Sequence, residues 1–352
     1  MDILKYMTEY GHEQLVACSE PSVGLKGFIV VHDTTLGPGA GGVRIWPYQS
    51  EDEAILDVLR LSRAMTYKSA VAGLSLGGGK AVLIADPAKD KTEAMMRAYG
   101  RYVETLGGRY ITTTDVGSTT QDLEYIALET KHVAGLPTSA GGSGDTSELT
   151  GLGLYRGMQA CAKAVWGSDS LSDRMVAMQG FGKVAQHTAE HLLKEGATLV
   201  ATDIQEGALD NARQLGVKVV EPDEIYDVAC DIFSPCALGG VLNSDTIPRL
   251  KCRIVAGGAN NQLQAGEDGV ELQRMAILYA PDYVINAGGI INVSCEVGAT
   301  YSLERARAMT EGIYETVERV LRMSSMNDIT TAQAAERLAE ERLDSARKIR
   351  SR

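Results

Sequence analysis

The chain has 352 residues, 44% of them apolar and 23% charged, with a formal net charge of −12. That length exceeds one ordinary core and calls for two domains, and the acidic balance excludes a phosphate-backbone binder, which needs a basic footprint to displace counterions. No apolar run approaches the roughly 18 residues that span a bilayer, the first residues lack the pattern of a secretory leader, and the six cysteines form no C-x-x-C pair. The expected setting is therefore the cytoplasm with reduced thiols, with neither a membrane nor a nucleic acid as partner.

In chain order, the short apolar runs "GFIVVH", "AVLIA" and "RYIT" alternate with helical patterns, the rhythm of an α/β layer. Ser50 and Glu53 predict a capping box in front of "AILDVLRLSRAMTYK", which places Lys68 near the end of that helix. Next comes "GLSLGGGKAVLIADP", in which Lys80 follows Gly77, Gly78 and Gly79. Consecutive glycines predict either a sharp bend or a close approach by another group. A phosphate-binding P-loop is excluded, because Leu74 stands where its first glycine belongs and Ala81 where its Ser or Thr belongs. Lys80 is then either a substrate-facing lysine or a solvated one. Lys68, and Asp115 in "YITTTDVGSTT", share its setting: a charge at an element boundary among small or apolar residues.

The Gly/Ser-rich stretch "PTSAGGSGDTSELTG" reads as a hinge or an interdomain crossing. Beyond it, "RMVAMQ", "ATLVATD", "CDIFSPC", "CRIVAGGAN" and "MAILYAPDYVINAGG" are spaced for a doubly wound sheet. Gly180-Phe181-Gly182-Lys183-Val184-Ala185 follows the first of these strands, and Asp203 closes the second, about 20 residues on, as a dinucleotide fingerprint requires. Gly180 permits the tight turn, Gly182 admits the pyrophosphate to the helix N-terminus, and Asp203 accepts from the ribose hydroxyls. No arginine follows Asp203 in "TDIQEG", which favours NAD over NADP. His187, Glu190 and His191 match an H-x-x-E-H zinc pattern. They fall on the helix face opposite the apolar stripe of Val184, Ala185, Thr188, Ala189 and Leu192, so the expectation is a solvated face and no metal. The tail predicts one helix over residues 303–323 and another opened by Thr330 with Gln333.

The segments "LGPGAGGVRIWPY", "MTYKSAVAGLSLGGGKAVLIADP", "YITTTDVG", "GFGKVA", "PCALGG", "GGANNQL" and "APDYVINAGGIINV" together resemble the Glu/Leu/Phe/Val dehydrogenase family, in the family's order and over nearly the whole chain. The chain's length is similar to that of the branched-chain (leucine or valine) group. The resemblance implies NAD-dependent oxidative deamination of an L-amino acid to the 2-oxo acid, ammonium and NADH, reversibly. It implies a two-domain α/β fold: an N-terminal substrate-binding and oligomerisation domain over residues 1–136 with 330–352, and a Rossmann-like doubly wound NAD domain over residues 137–329. It also implies a homo-oligomer, from a dimer up to an octamer.

Position by position, the resemblance gives Lys68 the substrate carboxylate, Lys80 the activation of the attacking water, and Asp115 proton exchange with the substrate nitrogen. A second cation beside a buried lysine disfavours its charged form, the condition for a lysine base near neutral pH, and Lys68 is expected to be that cation. Thr150, Ala237 and Asn260 fall where family members touch the nicotinamide half of the cofactor. The substrate pocket takes Ala40, Gly41, Gly42, Met65, Thr113, Ile290 and Val293. Ala40 replaces the usual leucine and widens that pocket, whereas Thr113 and Ile290, in place of alanine and valine, fill it. Such swaps are worth only about 1–3 kcal/mol each and reorder substrates without changing the reaction. A branched aliphatic substrate is expected first; the alternatives are an aromatic (Phe or Trp) dehydrogenase and an NAD-binding regulatory protein that has lost catalysis.

Overall fold

The two strand-and-helix series form two separate sheets in the computed structural model, which describes residues 1–350. Each sheet has its own compact unit: Met1–Asp145, Val293–Leu303 and the stretch from Ala339 onward make the first, Thr146–Asn292 and Glu304–Leu338 the second. The division falls later than residue 136 because the glycine-rich stretch is tied to the first unit. The carboxylate of Glu296 accepts the backbone N–H groups of Gly135 and Ser143, at 2.9 and 2.7 Å.

The first unit runs α1 (Ile3–Tyr10), β1 (Gln14–Glu20), β2 (Leu25–Asp33), β3 (Gly39–Trp46), α2 (Glu51–Val71), β4 (Gly77–Ile84), α3 (Glu93–Thr105), β5 (Tyr110–Thr114) and α4 (Thr120–Ala127). Its sheet has the order β1-β2-β4-β3-β5, with β1, β2 and β4 antiparallel in turn and β3 parallel to both β4 and β5. Alternate side chains leave opposite faces of a strand. Val43, Ile45, Ala81 and Leu83 pack with Met95, Met96, Tyr99 and Val103 of α3, whereas Val82 packs with Ala54, Val58 and Leu59 of α2.

Gly77, Gly78 and Gly79 do not form a bend; they lie inside β4, fully buried. Close approach is the reason for them, and what approaches is the protein itself. A Cβ on Gly78 would lie 2.1 Å from Thr66 Oγ1, 2.3 Å from its backbone N and 2.4 Å from the carbonyl oxygen of Ser62, all on α2. A Cβ on Gly79 would lie 2.5 Å from the Tyr110 ring, on the other face. Gly78 lets α2 sit on the sheet at backbone distance.

Helix ends show how far local rules reach. Ser50 Oγ accepts the Glu53 N–H as expected, but the Glu53 carboxylate accepts the Gln49 N–H, one residue before the cap. The Thr330–Gln333 box is reciprocal, at 3.0 and 3.2 Å. The helix expected over 303–323 is two, α11 (Leu303–Glu311) and α12 (Ile313–Asn327), parted at Gly312, the residue type that gains least from a helix interior.

In the second unit, α5 (Ser147–Trp166) leads into β6 (Met175–Gln179), α6 (Lys183–Glu195), β7 (Thr198–Thr202), α7 (Glu206–Gln214), β8 (Lys218–Val219), β9 (Ile232–Pro235), β10 (Ile254–Val255), α8 (Gly266–Arg274), β11 (Leu278–Tyr279), α9 (Asp282–Ile285) and most of α10 (Gly288–Ser294), then α11, α12 and the first part of α13 (Thr331–Arg350), whose residues from Ala339 belong to the first unit. The strand order β11-β10-β9-β6-β7-β8 is parallel throughout. The order reverses at β6, the switch point of a doubly wound sheet, where ligands bind outside the strand ends. Among the described residues no helix is long and apolar enough to cross a membrane.

Gly78→Ala should destabilise the chain by about 2–3 kcal/mol, because backbone and a buried hydroxyl cannot yield to the new methyl. Gly207→Ala, in α7 with nothing within 4 Å, should stabilise by about 0.5–1 kcal/mol. Urea unfolding of the two variants checks both signs.

Candidate active site

Lys80 lies in mid-strand on β4, opposite Val30 of β2, and is only 6% exposed. Its ammonium meets Asp115 Oδ2 at 2.9 Å. Asp115 directly follows β5, in a turn closed by Ser118, whose hydroxyl accepts the Asp115 N–H and donates to the Asp115 carbonyl. Gly42 leaves room for that turn, since its Cβ would lie 2.2 Å from the Thr114 carbonyl oxygen and 2.8 Å from the Asp115 Cβ.

A third charge completes the group. Arg44 of β3 donates from Nε to the same Oδ2 at 3.0 Å and from Nη1 to Asp57 of α2 at 3.0 Å. Burial alone would raise the Asp115 carboxyl, but Lys80 and Arg44 outweigh it and hold the group below its ordinary 3.8. Burial likewise opposes the charge on Arg44, and Asp115 and Asp57 overcome it, leaving the guanidinium above its usual value. Sequence reading missed Arg44. Its signal was a lone charge inside the apolar strand "GGVRIW", quoted above only as part of a motif.

The charge that Lys80 touches is thus the anion Asp115. Lys68 sits half-buried in the last turn of α2, a turn whose carbonyls are capped by Arg342 of α13: the guanidinium donates to Ser69, Ala70 and Leu74. Of the pocket candidates of this unit, Ala40, Gly41, Gly42 and Thr113 lie on neighbouring strands, Met65 on α2 and Val293 on α10. Ala40, Gly41 and Gly42 are in β3, and Gly41 gives its carbonyl to the Tyr110 hydroxyl at 2.7 Å. A Cβ on Gly41 would lie 1.9 Å from the Gly79 carbonyl oxygen and 3.4 Å from Met65 Cγ. Thr113 of β5 faces Gly135, and Val293 packs with Ile111 and Ala134. Ala40 is 1% exposed, so the space it vacates is internal. Ile290 belongs to the second unit and is buried there.

The second unit carries a glycine turn between β6 and α6. Gly180 follows β6 with φ +94°, a conformation that favours glycine, and its missing Cβ admits Ala237, whose Cβ would be 2.7 Å away. Gly182 caps α6 and has nothing within 4 Å of an ideal Cβ, which leaves the helix N-terminus open to an anion. Asp203, after β7, holds the turn: Oδ2 accepts the Phe181 N–H at 2.7 Å, while Oδ1 accepts the Gln205 N–H. Phe181 and Ala185 are buried, Val184 is half-buried and Lys183 is exposed. Val184 lies 3.1 Å from the Cβ position of Gly258, two residues before Asn260. The Asn260 side chain accepts from Asn286 at 2.8 Å. Thr150 donates to the Thr146 carbonyl, and its Oγ1 lies 3.2 Å from the Cβ position of Gly289. These residues fit a dinucleotide: an open helix end for the pyrophosphate and an acid at the end of β7 for the ribose.

On α6 the apolar stripe is buried as expected, at Ala185, Thr188, Ala189 and Leu192. Glu190 is exposed, His191 stacks on Tyr155 and His187 meets Glu190 at 3.4 Å. Among the described residues no His, Cys, Asp and Glu cluster could hold a metal.

Comparison with known proteins gives two family matches in succession along the chain. The model of the Glu/Leu/Phe/Val dehydrogenase dimerisation domain matches residues 12–132, and that of glutamate/leucine/phenylalanine/valine dehydrogenase matches residues 141–220 and 202–350. The leucine dehydrogenase of Geobacillus stearothermophilus is 51% identical over 352 residues, covering 100% of this chain and 96% of its own. The phenylalanine dehydrogenase of Thermoactinomyces intermedius is 45% identical over 352 residues, with 99% and 96% covered. The crystal structure of L-tryptophan dehydrogenase from Nostoc punctiforme superposes with a TM-score of 0.86 at 44% identity, covering 98% of this chain and 99% of that one.

Because the folded-state pKa of Asp115 is depressed, its contribution to stability is fully present above its unfolded value and is lost as pH falls through the folded one, below 3.8. Asp115→Asn, which strands the buried Lys80 ammonium, should cost about 3 kcal/mol near neutral pH. The gap between wild type and variant should narrow as the medium is taken below pH 3.8, which urea titrations at several pH values measure.

Proposed function

The chain belongs to the Glu/Leu/Phe/Val dehydrogenase family, and on that premise we propose that it oxidatively deaminates branched-chain L-amino acids with NAD, giving the 2-oxo acid, ammonium and NADH, and runs the reverse reductive amination. The observation that carries the substrate class is similarity from end to end to leucine dehydrogenase, higher than that to phenylalanine dehydrogenase. NAD, when bound, takes up the hydride that leaves the substrate α-carbon. The protein's own task is to position the amino acid and to move protons.

Lys68 pairs with the substrate carboxylate. Lys80 takes a proton from the water that attacks the imino carbon, and Asp115 exchanges protons with the nitrogen, which departs as ammonium. The 2.9 Å contact between Lys80 and Asp115 allows a proton received at one to reach the other. In this reading Ala40, Gly41, Gly42, Met65, Thr113, Ile290 and Val293 shape the site around the side chain. Gly180, Phe181, Gly182, Lys183, Val184, Ala185 and Asp203 receive the adenosine half and pyrophosphate of the cofactor, with Thr150, Ala237 and Asn260 toward the nicotinamide. Asp203 supports NAD over NADP, since its carboxylate repels a 2′-phosphate. The first unit is the seat of homo-oligomerisation, in keeping with the dimerisation-domain family that matches residues 12–132.

An aromatic amino acid is the second reading. It is favoured by Ala40 in place of the family's leucine and by the likeness to a tryptophan dehydrogenase.

A panel of L-amino acids with NAD, followed by NADH absorbance, should give the highest kcat/KM for leucine, valine or isoleucine. Preference for phenylalanine or tryptophan would move the assignment to the aromatic class, and NAD binding with no oxidation of any amino acid would leave a regulatory protein. Lys80→Ala should lower kcat by about 10²–10⁴-fold, while NAD titration by fluorescence gives a Kd close to that of the wild type; undiminished turnover would remove Lys80 from the mechanism.

A further inference from the structure

Arg44 and Lys80 approach the same oxygen of Asp115, at 3.0 and 2.9 Å. The two cations are not equivalent. An ammonium is a point charge on a flexible stem and can give up its proton, whereas a guanidinium is planar and stays charged at any working pH. Their tethers differ as well. Lys80 has no second acceptor among the described residues. Arg44 is fastened at its far side, where Nη1 donates to Asp57 Oδ2 at 3.0 Å and the same oxygen accepts the Tyr48 hydroxyl at 2.5 Å. Asp57 projects from α2, the helix that the glycines of β4 seat at backbone distance.

A lysine that works as a base must, for part of each cycle, be uncharged or turned toward substrate. Asp115 would then be a largely buried carboxylate without its ammonium, and such a group takes up a proton or moves. We propose that Arg44 is a positioning residue of the reaction: it keeps Asp115 ionised and in place while Lys80 is engaged elsewhere, and Asp57 with Tyr48 hold Arg44 to that task. The inference rests on the catalytic roles given above to Lys80 and Asp115.

The surroundings of Asp115 leave this role to Arg44. Lys80 faces it from β4 and Arg44 from β3, Val116 supplies a backbone N–H and Ser118 a hydroxyl from its own turn, and Tyr110 of β5 lies within electrostatic reach. Behind Arg44 stand only the acid Asp57 and the phenol Tyr48. Lys80 and Arg44 are the positive charges in that set, and only one of them is permanent.

The test is the pH dependence of kcat and kcat/KM for Arg44→Met, Arg44→Lys, Asp57→Asn and Tyr48→Phe, with Lys80→Ala and Asp115→Asn alongside. Arg44→Met should lower kcat about 100-fold with KM changed less than about threefold, and should move the acid limb of kcat/KM up by about one pH unit. Arg44→Lys should restore the position of the limb but only part of kcat, because a point charge replaces a fork. Tyr48→Phe and Asp57→Asn should shift the limb in the same direction by less, and Tyr48→Phe, which removes a single oxygen, supplies the reading if Arg44→Met does not fold. An unmoved acid limb with kcat within twofold overturns the proposal. So does a rise in KM at constant kcat, which would make Arg44 a substrate ligand. If Lys80→Ala and Asp115→Asn retain turnover, the catalytic assignment falls and this role falls with it; if they lose turnover while the Arg44 and Tyr48 variants keep it, only the role of Arg44 falls.

Discussion

The first unit depends on one close approach, that of α2 to the sheet at the glycines of β4. Without a Cβ at Gly78, the Thr66 hydroxyl and the Ser62 carbonyl come within contact distance of the strand backbone. Thr66 is locked from a second side, by His32 Nδ1 at 2.8 Å. The other nitrogen of His32 lies 2.9 Å from the Tyr10 carbonyl and must donate to it, so Nδ1 accepts and the Thr66 hydroxyl donates. The seat of the helix decides where Asp57, Met65 and Lys68 stand along it. A helix lifted by the thickness of a methyl would carry them all away from the strands together.

Charge balance is the second constraint. Two cations and two anions share a small volume over β3, β4 and α2, alternating as Lys80, Asp115, Arg44 and Asp57. Buried ions are tolerated when each meets its opposite and costly when one is stranded. The alternation keeps every member partnered, and it joins a titratable end to a permanently charged middle.

Fold and site were legible in the sequence to different depths. The geometry of the glycine turn after β6 was legible, because it is local: Gly180, Gly182 and Asp203 each answer to a backbone angle, an open helix end or a strand terminus. The glycines before Lys80 were legible as a place of close approach, but which group approaches depends on α2, and composition does not say how a helix lies on a sheet. Which charge touches Lys80 was beyond local reading for the same reason. Lys68 is near in sequence and Asp115 is distant, yet β3 pairs with β4 on one side and β5 on the other, which brings Asp115 across the sheet to Lys80. Arg44 escaped notice because a single charge in an apolar strand has no periodicity to mark it. Gly312, whose helix-breaking effect needs no tertiary partner, could have been read and was not.

The cap that Arg342 places on α2 has a consequence for biosynthesis. The Ser69 and Ala70 carbonyls in the last turn of that helix, already bonded to local N–H groups, and the Leu74 carbonyl just past it receive a side chain distant in sequence. On a ribosome, α2 emerges early, and its last turn, already bonded by the N–H groups of Ala72, Gly73 and Leu74, waits for this second donor until residue 342 has been translated. Domains that are continuous in the chain can fold as they emerge. Here the guanidinium reaches the lysine-bearing turn only once residue 342 has emerged, so a chain cut short before that residue keeps the local bonds of the turn but lacks the clamp across them.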